Sequence, residues 1–290
     1  MTRIHERSGW MAGIVMLGAF AILYRNVVAS LVDAWAHDGN YSHGFLIVPV
    51  AAFFVWERRH RLRETAVAGS LIGLVVLLGS LLMLVAGVLG AELFLTRLSI
   101  IGVLAGTVLF VLGWSHLRIL ALPLSFLILM VPIPAIVFNQ IAFPLQLLAS
   151  QFGERALNLA SVPVLREGNV MILANTTLEV AEACSGIRSL ISLLTLGIIY
   201  GYFTDTRMWV RTAIAAATIP IAIVTNGLRV AGTGIAAHYY GPAAAQGFFH
   251  EFSGWLVFIV AFGLLFMCVR LLLLVSPQRP VTTSPIASVA

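Results

Sequence analysis

Residues 67–89 read VAGSLIGLVVLLGSLLMLVAGVL, an unbroken run without a single ionisable side chain. A helix needs about 20 apolar residues to cross the hydrocarbon core of a bilayer, and a helix packed in a soluble core keeps a polar face. This stretch therefore decides the fold class, which is helical and membrane-spanning. The rest of the composition agrees. Of the 290 residues, 60% are hydrophobic and only 10% are charged, with a mean hydropathy of +1.00. A soluble domain carries about 25% charged residues.

Outward from that run, apolar stretches of spanning or nearly spanning length occupy 9–31, 42–56, 93–113, 116–138, 184–204, 209–228 and 254–275. With 67–89 they predict eight spans, or seven if the short stretch 42–56 does not cross. Arg3 and Arg7 ahead of the first span resemble the charged start of a secretory signal. Arg25 soon after, and the lack of a small-x-small cleavage site, predict that this span is retained.

All 17 basic residues are Arg; the chain has no Lys. Arg3 and Arg7, the cluster Arg58, Arg59, Arg61 and Arg63, then Arg118, Arg207 with Arg211, and Arg270 with Arg279 fall at alternate ends of successive spans. The positive-inside rule makes that side cytoplasmic and places both termini there. Asp33, Asp38, Glu92, Glu154, Glu167, Glu179, Glu182 and Glu251 collect on the opposite side. The net charge of +5 is spread along the chain and forms no basic face, so the expected partner is membrane lipid and not nucleic acid.

The longest stretch outside the spans, 139–183, falls on the outer side. Pro132, Pro134 and Pro144 break or kink helices at its start. Leu145, Leu148, Phe152, Ala156 and Leu159 recur at helical spacing and predict a helix lying in the membrane interface. Val162 to Leu165 and Val170 to Leu173 flank Arg166-Glu167-Gly168-Asn169, a hairpin signal, and Thr177 to Val180 adds a short strand. The expected fold is thus all-α and polytopic, with about eight transmembrane helices, a small outer-face cap and both termini cytoplasmic. A single transmembrane domain covers 1–276 with the cap (139–183) inside it, and 277–290 forms a disordered cytoplasmic tail.

Chemistry concentrates at the outer rim. Cys184 stands where a polar stretch gives way to an apolar helix. The positive end of the helix dipole and Arg188, one turn on, both favour its thiolate. It is expected to be more acidic than a free thiol, whose pKa is about 8.5. Arg229 ends the seventh span and His250 precedes the eighth, at the same face. A thiol, a guanidinium and an imidazole at one depth suit a nucleophile, a charge stabiliser and a general acid/base.

Each also has a plainer reading. Cys184 is small enough for any helix start, Arg229 can snorkel to the headgroups, and His250 can be a simple helix neighbour. Asn226 and Glu251 can serve loop hydrogen bonds alone. Convergence at one face favours chemistry. His238, His250 and Glu251 lack the spacing of a metal motif, and no metal or cofactor is expected. Cys268, inside an apolar run, reads as inert packing, and two cysteines make no disulfide framework.

Several ordered motifs resemble the exosortases, the bacterial counterparts of the archaeosortases. They are Tyr41-Ser42-His43-Gly44-Phe45-Leu46, Pro132-Ile133-Pro134, Pro144-Leu145-Gln146 and Arg166-Glu167-Gly168-Asn169. The most specific is Glu182-Ala183-Cys184-Ser185-Gly186-Ile187-Arg188-Ser189-Leu190, followed by Asn226-Gly227-Leu228-Arg229-Val230 and His250-Glu251-Phe252-Ser253-Gly254-Trp255. The resemblance covers roughly residues 30 to 265 and implies a membrane cysteine transpeptidase or protease with Cys184, Arg229 and His250 as its active site. Arg188, Asn226 and Glu182 are expected to support them.

The implied substrates are exported proteins ending in a Pro-Glu-Pro motif, a transmembrane helix and a basic tail, in systems linked to exopolysaccharide. An accessory protein would be a separate chain. Arg166 and Arg155 are the expected contacts for the motif's carboxylate, although Arg166 is equally placed to close the hairpin turn. Tyr41 and His43 are further candidate substrate contacts. The expected location is the inner membrane, with the site facing the periplasm. The rival reading is a non-enzymatic membrane component of polysaccharide export or assembly. Transport would call for paired charges or broken helices near mid-membrane, and apart from Arg97 the spans offer little of this.

Overall fold

A computed structural model describes residues 2–174, 176–180, 186–241 and 248–276, with side chains from residue 14 and, in the last stretch, from residue 252. The chain forms two compact units, Met1–Phe138 and Asn139–Ala290.

The first unit holds α1 (Thr2–His37), α2 (Gly44–Glu57), α3 (Arg59–Glu64), α4 (Leu71–Leu89), α5 (Leu93–Val111) and α6 (Trp114–Phe126), the last continued by a 3-10 turn at Leu127–Met130. Helices α4 and α5 form a tight antiparallel pair. A methyl group on Gly106 would come within 2.6 Å of the Leu77 backbone nitrogen, and one on Gly87 within 2.8 Å of the Thr96 side chain. Between lipid-exposed helices no hydrophobic force operates, so close packing over small residues does the joining. Buried polar groups find partners across the helices: Tyr24 bonds Ser99 at 3.0 Å, and buried Arg97 donates to the Ser30 carbonyl at 3.0 Å.

The expected span 116–138 is corrected to a shorter piece. Its helix stops at Phe126, the 3-10 turn stops at Met130, and a new helix starts at Ala135. Pro132 and Pro134 supply no N–H and forbid continuation. The backbone groups left over are taken by one side-chain cluster. Trp35 Nε1 donates to the Met130 carbonyl at 2.9 Å, His43 Nε2 bonds the Leu129 carbonyl at 3.0 Å, and Tyr41 Oη accepts the Ile133 N–H at 3.2 Å. Among the described residues, seven helices are long and apolar enough to cross a bilayer, while α2 and Trp114–Met130 are shorter.

The second unit comprises α7 (Ala135–Leu159), which starts in the last residues of the first, then β1 (Val164–Glu167), β2 (Val170–Leu173) and β3 (Thr177–Glu179). Helices α8 (Ile187–Thr204), α9 (Met208–Tyr240) and α10 (Phe248–Val275) complete it. The strands form one antiparallel sheet in the order β1-β2-β3, with Arg166 opposite Met171 and Met171 opposite Leu178. The expected hairpin is present. Gly168 takes φ +64°, which glycine adopts without strain, to make its turn.

Helix α7 is split lengthwise. Ile141, Leu148 and Leu159 are exposed along one side. Gln146, Ser150 and Glu154, spaced four apart, lie opposite by helical geometry and bond the sheet. Ser150 Oγ donates to the Gly168 carbonyl at 2.9 Å, Gln146 Oε1 accepts from Asn169 at 3.4 Å, and Glu154 accepts Arg166 Nε at 2.7 Å. An outward apolar stripe with the polar stripe turned onto protein suits a helix lying in the interface and one crossing the bilayer alike. By length and composition α7 counts among the helices able to cross, where the sequence predicted an interfacial one.

Beneath the cap, Ala149, Leu157, Val162, Met171, Leu173, Val180 and Val230 form a buried core. Val230 belongs to α9, which corrects the expected end of that span at 228. The helix runs on to Tyr240 because α7 packs along it: Phe152 lies over Gly227, and Leu157 over Gly234. Helices α8, α9 and α10 share a second core of Leu193, Val210, Ile214, Ala222, Ala261, Leu265 and Val269. At one end of this bundle Arg207 pairs with Asp205 at 2.7 Å and caps α10 through the Ser276 carbonyl at 2.7 Å.

Candidate active site

At the other end of the bundle, small residues bring the starts of α8 and α10 against α9. Gly186, the cap of α8, holds φ +78° directly against Asn226, which is 3% exposed. Gly197 and Gly201 continue the same contact line down α8, facing Thr218 and Arg211. One turn beyond Asn226, half-buried Arg229 reaches α10 and donates from Nε to Ser253 Oγ at 3.3 Å. Its guanidinium lies over Gly254, where a methyl group would approach Nη2 to 3.3 Å and Cζ to 3.4 Å.

Depth follows from helix geometry. Arg211 and Arg229 sit on one helix, separated along it by about 27 Å at 1.5 Å per residue. That is close to the roughly 30 Å hydrocarbon thickness. Arg229, expected from the sequence at the end of its span, stands inside α9, which continues beyond it to Tyr240. Along α10, His250 and Arg270 stand about 30 Å apart by the same measure.

The sequence-derived candidates fall as follows. Cys184 and Glu182 lie outside the described residues; Cys184 is two positions before Gly186 in the sequence. His250 lies in the first turn of α10, three residues before Ser253. Arg188 is exposed in the first turn of α8. Asn226 and Arg229 stand on one helix, one turn apart.

Arg155 is exposed on α7, whereas Arg166 is engaged twice, by Glu154 and by the Gly168 carbonyl at 3.0 Å. Tyr41 and His43 belong to the first unit, where Tyr41 Oη and His43 Nε2 bond the 129–133 backbone. Cys268, expected as interior packing, is exposed on α10.

Sequence reasoning missed Ser253 and Gly254. Their spacing from His250 was visible, but nothing in a Ser-Gly pair announces an arginine partner on another helix. Between α7, α8 and α9 a small open cleft, with room for about one water, is lined by Leu145, Ala149, Leu190 and Ala222, with Gly186 and Asn226 among its walls. The site thus offers a helix start, a buried carboxamide and a held guanidinium, all of which favour negative charge nearby.

A family model described as transmembrane exosortase matches residues 35–267. No curated protein and no solved structure matches.

Proposed function

The chain belongs to the transmembrane exosortase family, and from that premise we propose a cysteine transpeptidase that cleaves C-terminal sorting signals at the outer face of the inner membrane. Membership supports a membrane transpeptidase role in general. The observation that carries the finer reading is the meeting of Gly186, Asn226, Arg229 and Ser253 at one end of the α8–α9–α10 bundle. Gly186 follows Cys184 by two positions in the sequence, and Ser253 follows His250 by three.

In this reading His250 takes the thiol proton and the Cys184 thiolate attacks a peptide carbonyl of the substrate. Arg229 stabilises the thiolate or the developing oxyanion. The peptide C–N bond breaks to leave a thioester on Cys184, and His250 returns its proton to the departing amine of the substrate's tail. An acceptor amine or water then attacks the thioester and frees the thiol. Asn226, Arg188 and Glu182 support the three.

The substrate class is an exported protein with a Pro-Glu-Pro motif, a spanning helix and a basic tail, in a system linked to exopolysaccharide. A basic tail held on the Arg207 and Arg270 side sets the motif level with Arg229, which favours a periplasm-facing site. Among the candidate substrate contacts, exposed Arg155 suits the motif's carboxylate best. Arg166, Tyr41 and His43 serve the fold first through the bonds described above.

Cys184→Ala in membranes should leave a Pro-Glu-Pro-tagged substrate unprocessed, while wild type yields a thioester-linked adduct that hydroxylamine releases. Continued processing by Cys184→Ala would end this reading.

A further inference from the structure

We infer that Ser253 and Gly254 form a seat on α10 that positions Arg229 for the reaction, an inference resting on the proposal that Arg229 stabilises negative charge there. The hydroxyl of Ser253 accepts the Arg229 Nε–H at 3.3 Å. A methyl group on Gly254 would stand 3.3 Å from Nη2, 3.4 Å from Cζ and 3.7 Å from Nη1. Near-equal distances to three atoms of one plane mean that the guanidinium presents its face to Gly254. One contact fixes the root of the fork and the other fixes its plane, so the two terminal nitrogens are confined to one orientation.

An arginine side chain has many rotamers, and a stabiliser of transient charge works best when that freedom is removed before the reaction. The bond at 3.3 Å lies just past the usual range, so the seat orients the cation more than it binds it. Glycine gives the flat approach its room. Any side chain at 254 would push the guanidinium outward by tenths of an ångström or tilt it. The seat is rigid because α9 and α10 are joined below it by Ala222, Ala261, Leu265 and Val269. Ser253 and Gly254 are positioning residues, since they act through Arg229.

The test uses the full chain in membranes with a substrate bearing a Pro-Glu-Pro motif, a spanning helix and a basic tail. Ser253→Ala and Gly254→Ala should each lower kcat about tenfold, the scale of one hydrogen bond to a charged group. KM should stay within about twofold, and Ser253→Thr, which keeps the hydroxyl, should recover most of the rate. In an Arg229→Lys background, where Nε–H and the plane are gone, Ser253→Ala should cause no further loss. Equal losses in both backgrounds, or full rate in both single variants, would overturn the seat alone. Full activity of Arg229→Ala would overturn it together with the role given to Arg229.

Discussion

Gly186 and Asn226 are in such close contact that a methyl group on Gly186 would stand 2.7 Å from the Asn226 Cγ, and Gly186 holds φ +78°. Two separate demands therefore select glycine at the start of α8. Gly186→Ala incurs the left-handed penalty of about 1–2 kcal/mol and the steric one as well. Its unfolding midpoint in detergent should fall, and processing with it. Asn226→Ala removes the obstructing Cγ and Nδ2 and leaves only Cβ at 2.9 Å, so the double variant should be less destabilised than the two single losses added. Strict additivity would show that the contact does not constrain the helix start.

The Glu154–Arg166 pair spans α7 and the hairpin at 2.7 Å, with both side chains about a quarter to a third exposed. An ion pair of that exposure contributes about 0.5–1 kcal/mol. Arg166→Glu should thus destabilise modestly by placing two carboxylates together, and the swap Glu154→Arg with Arg166→Glu should restore the midpoint. Processing separates the two roles given to Arg166. If the swap restores it, the pair serves the fold; if processing stays low while stability returns, Arg166 also meets the substrate. Arg155→Glu should lower processing with no change in midpoint.

His43 lies in the turn between α1 and α2, outside the spans, and burial holds its imidazole below its ordinary value of about 6.5 despite the Leu129 carbonyl bond. The folded state therefore binds the proton less readily than the unfolded one. Stability is present above about pH 6.5 and is lost as pH falls below it, by at most about 1.4 kcal/mol per unit until the folded pKa is reached. The wild-type midpoint in detergent should drop between about pH 7 and pH 5. His43→Gln, which keeps a donor for the carbonyl, should flatten that slope. An identical slope in both proteins would place the titration elsewhere.

Much of this architecture was legible because lipid and turn chemistry write themselves locally. The uncharged run 67–89 gives α4 within a few residues, and Gly168-Asn169 between apolar flanks gives the hairpin. What stayed hidden depends on contacts between distant segments. Arg229 resembles the end of a span because charge ends spans, yet α9 continues to Tyr240 under Leu157 and Phe152 of α7. The exosortase motif Tyr41-Ser42-His43 suggested substrate contacts, whereas Tyr41 and His43 hold the backbone that Pro132 and Pro134 free. Ser253 became visible only once α9 and α10 were set antiparallel, since its partner stands 24 residues away.

The last prediction concerns the cation. If Arg229 stabilises the Cys184 thiolate, removing it should lower the thiolate fraction at neutral pH, and alkylation of Cys184 should slow accordingly. Arg229→Lys should recover only part of the rate, because an ammonium lacks both the Nε–H that Ser253 accepts and the planar face that Gly254 receives. A snorkelling anchor behaves otherwise: Lys would replace it almost fully, and Ala would leave the thiol unchanged. Alkylation rate against pH in wild type, Arg229→Lys and Arg229→Ala reads the difference, with exposed Cys268 first replaced by Ser to leave one reporter. A profile displaced to higher pH in Ala, and to a lesser degree in Lys, supports thiolate stabilisation. An unmoved profile with lost turnover would assign Arg229 to the oxyanion of the later step, and an unmoved profile with full turnover would return it to the role of anchor.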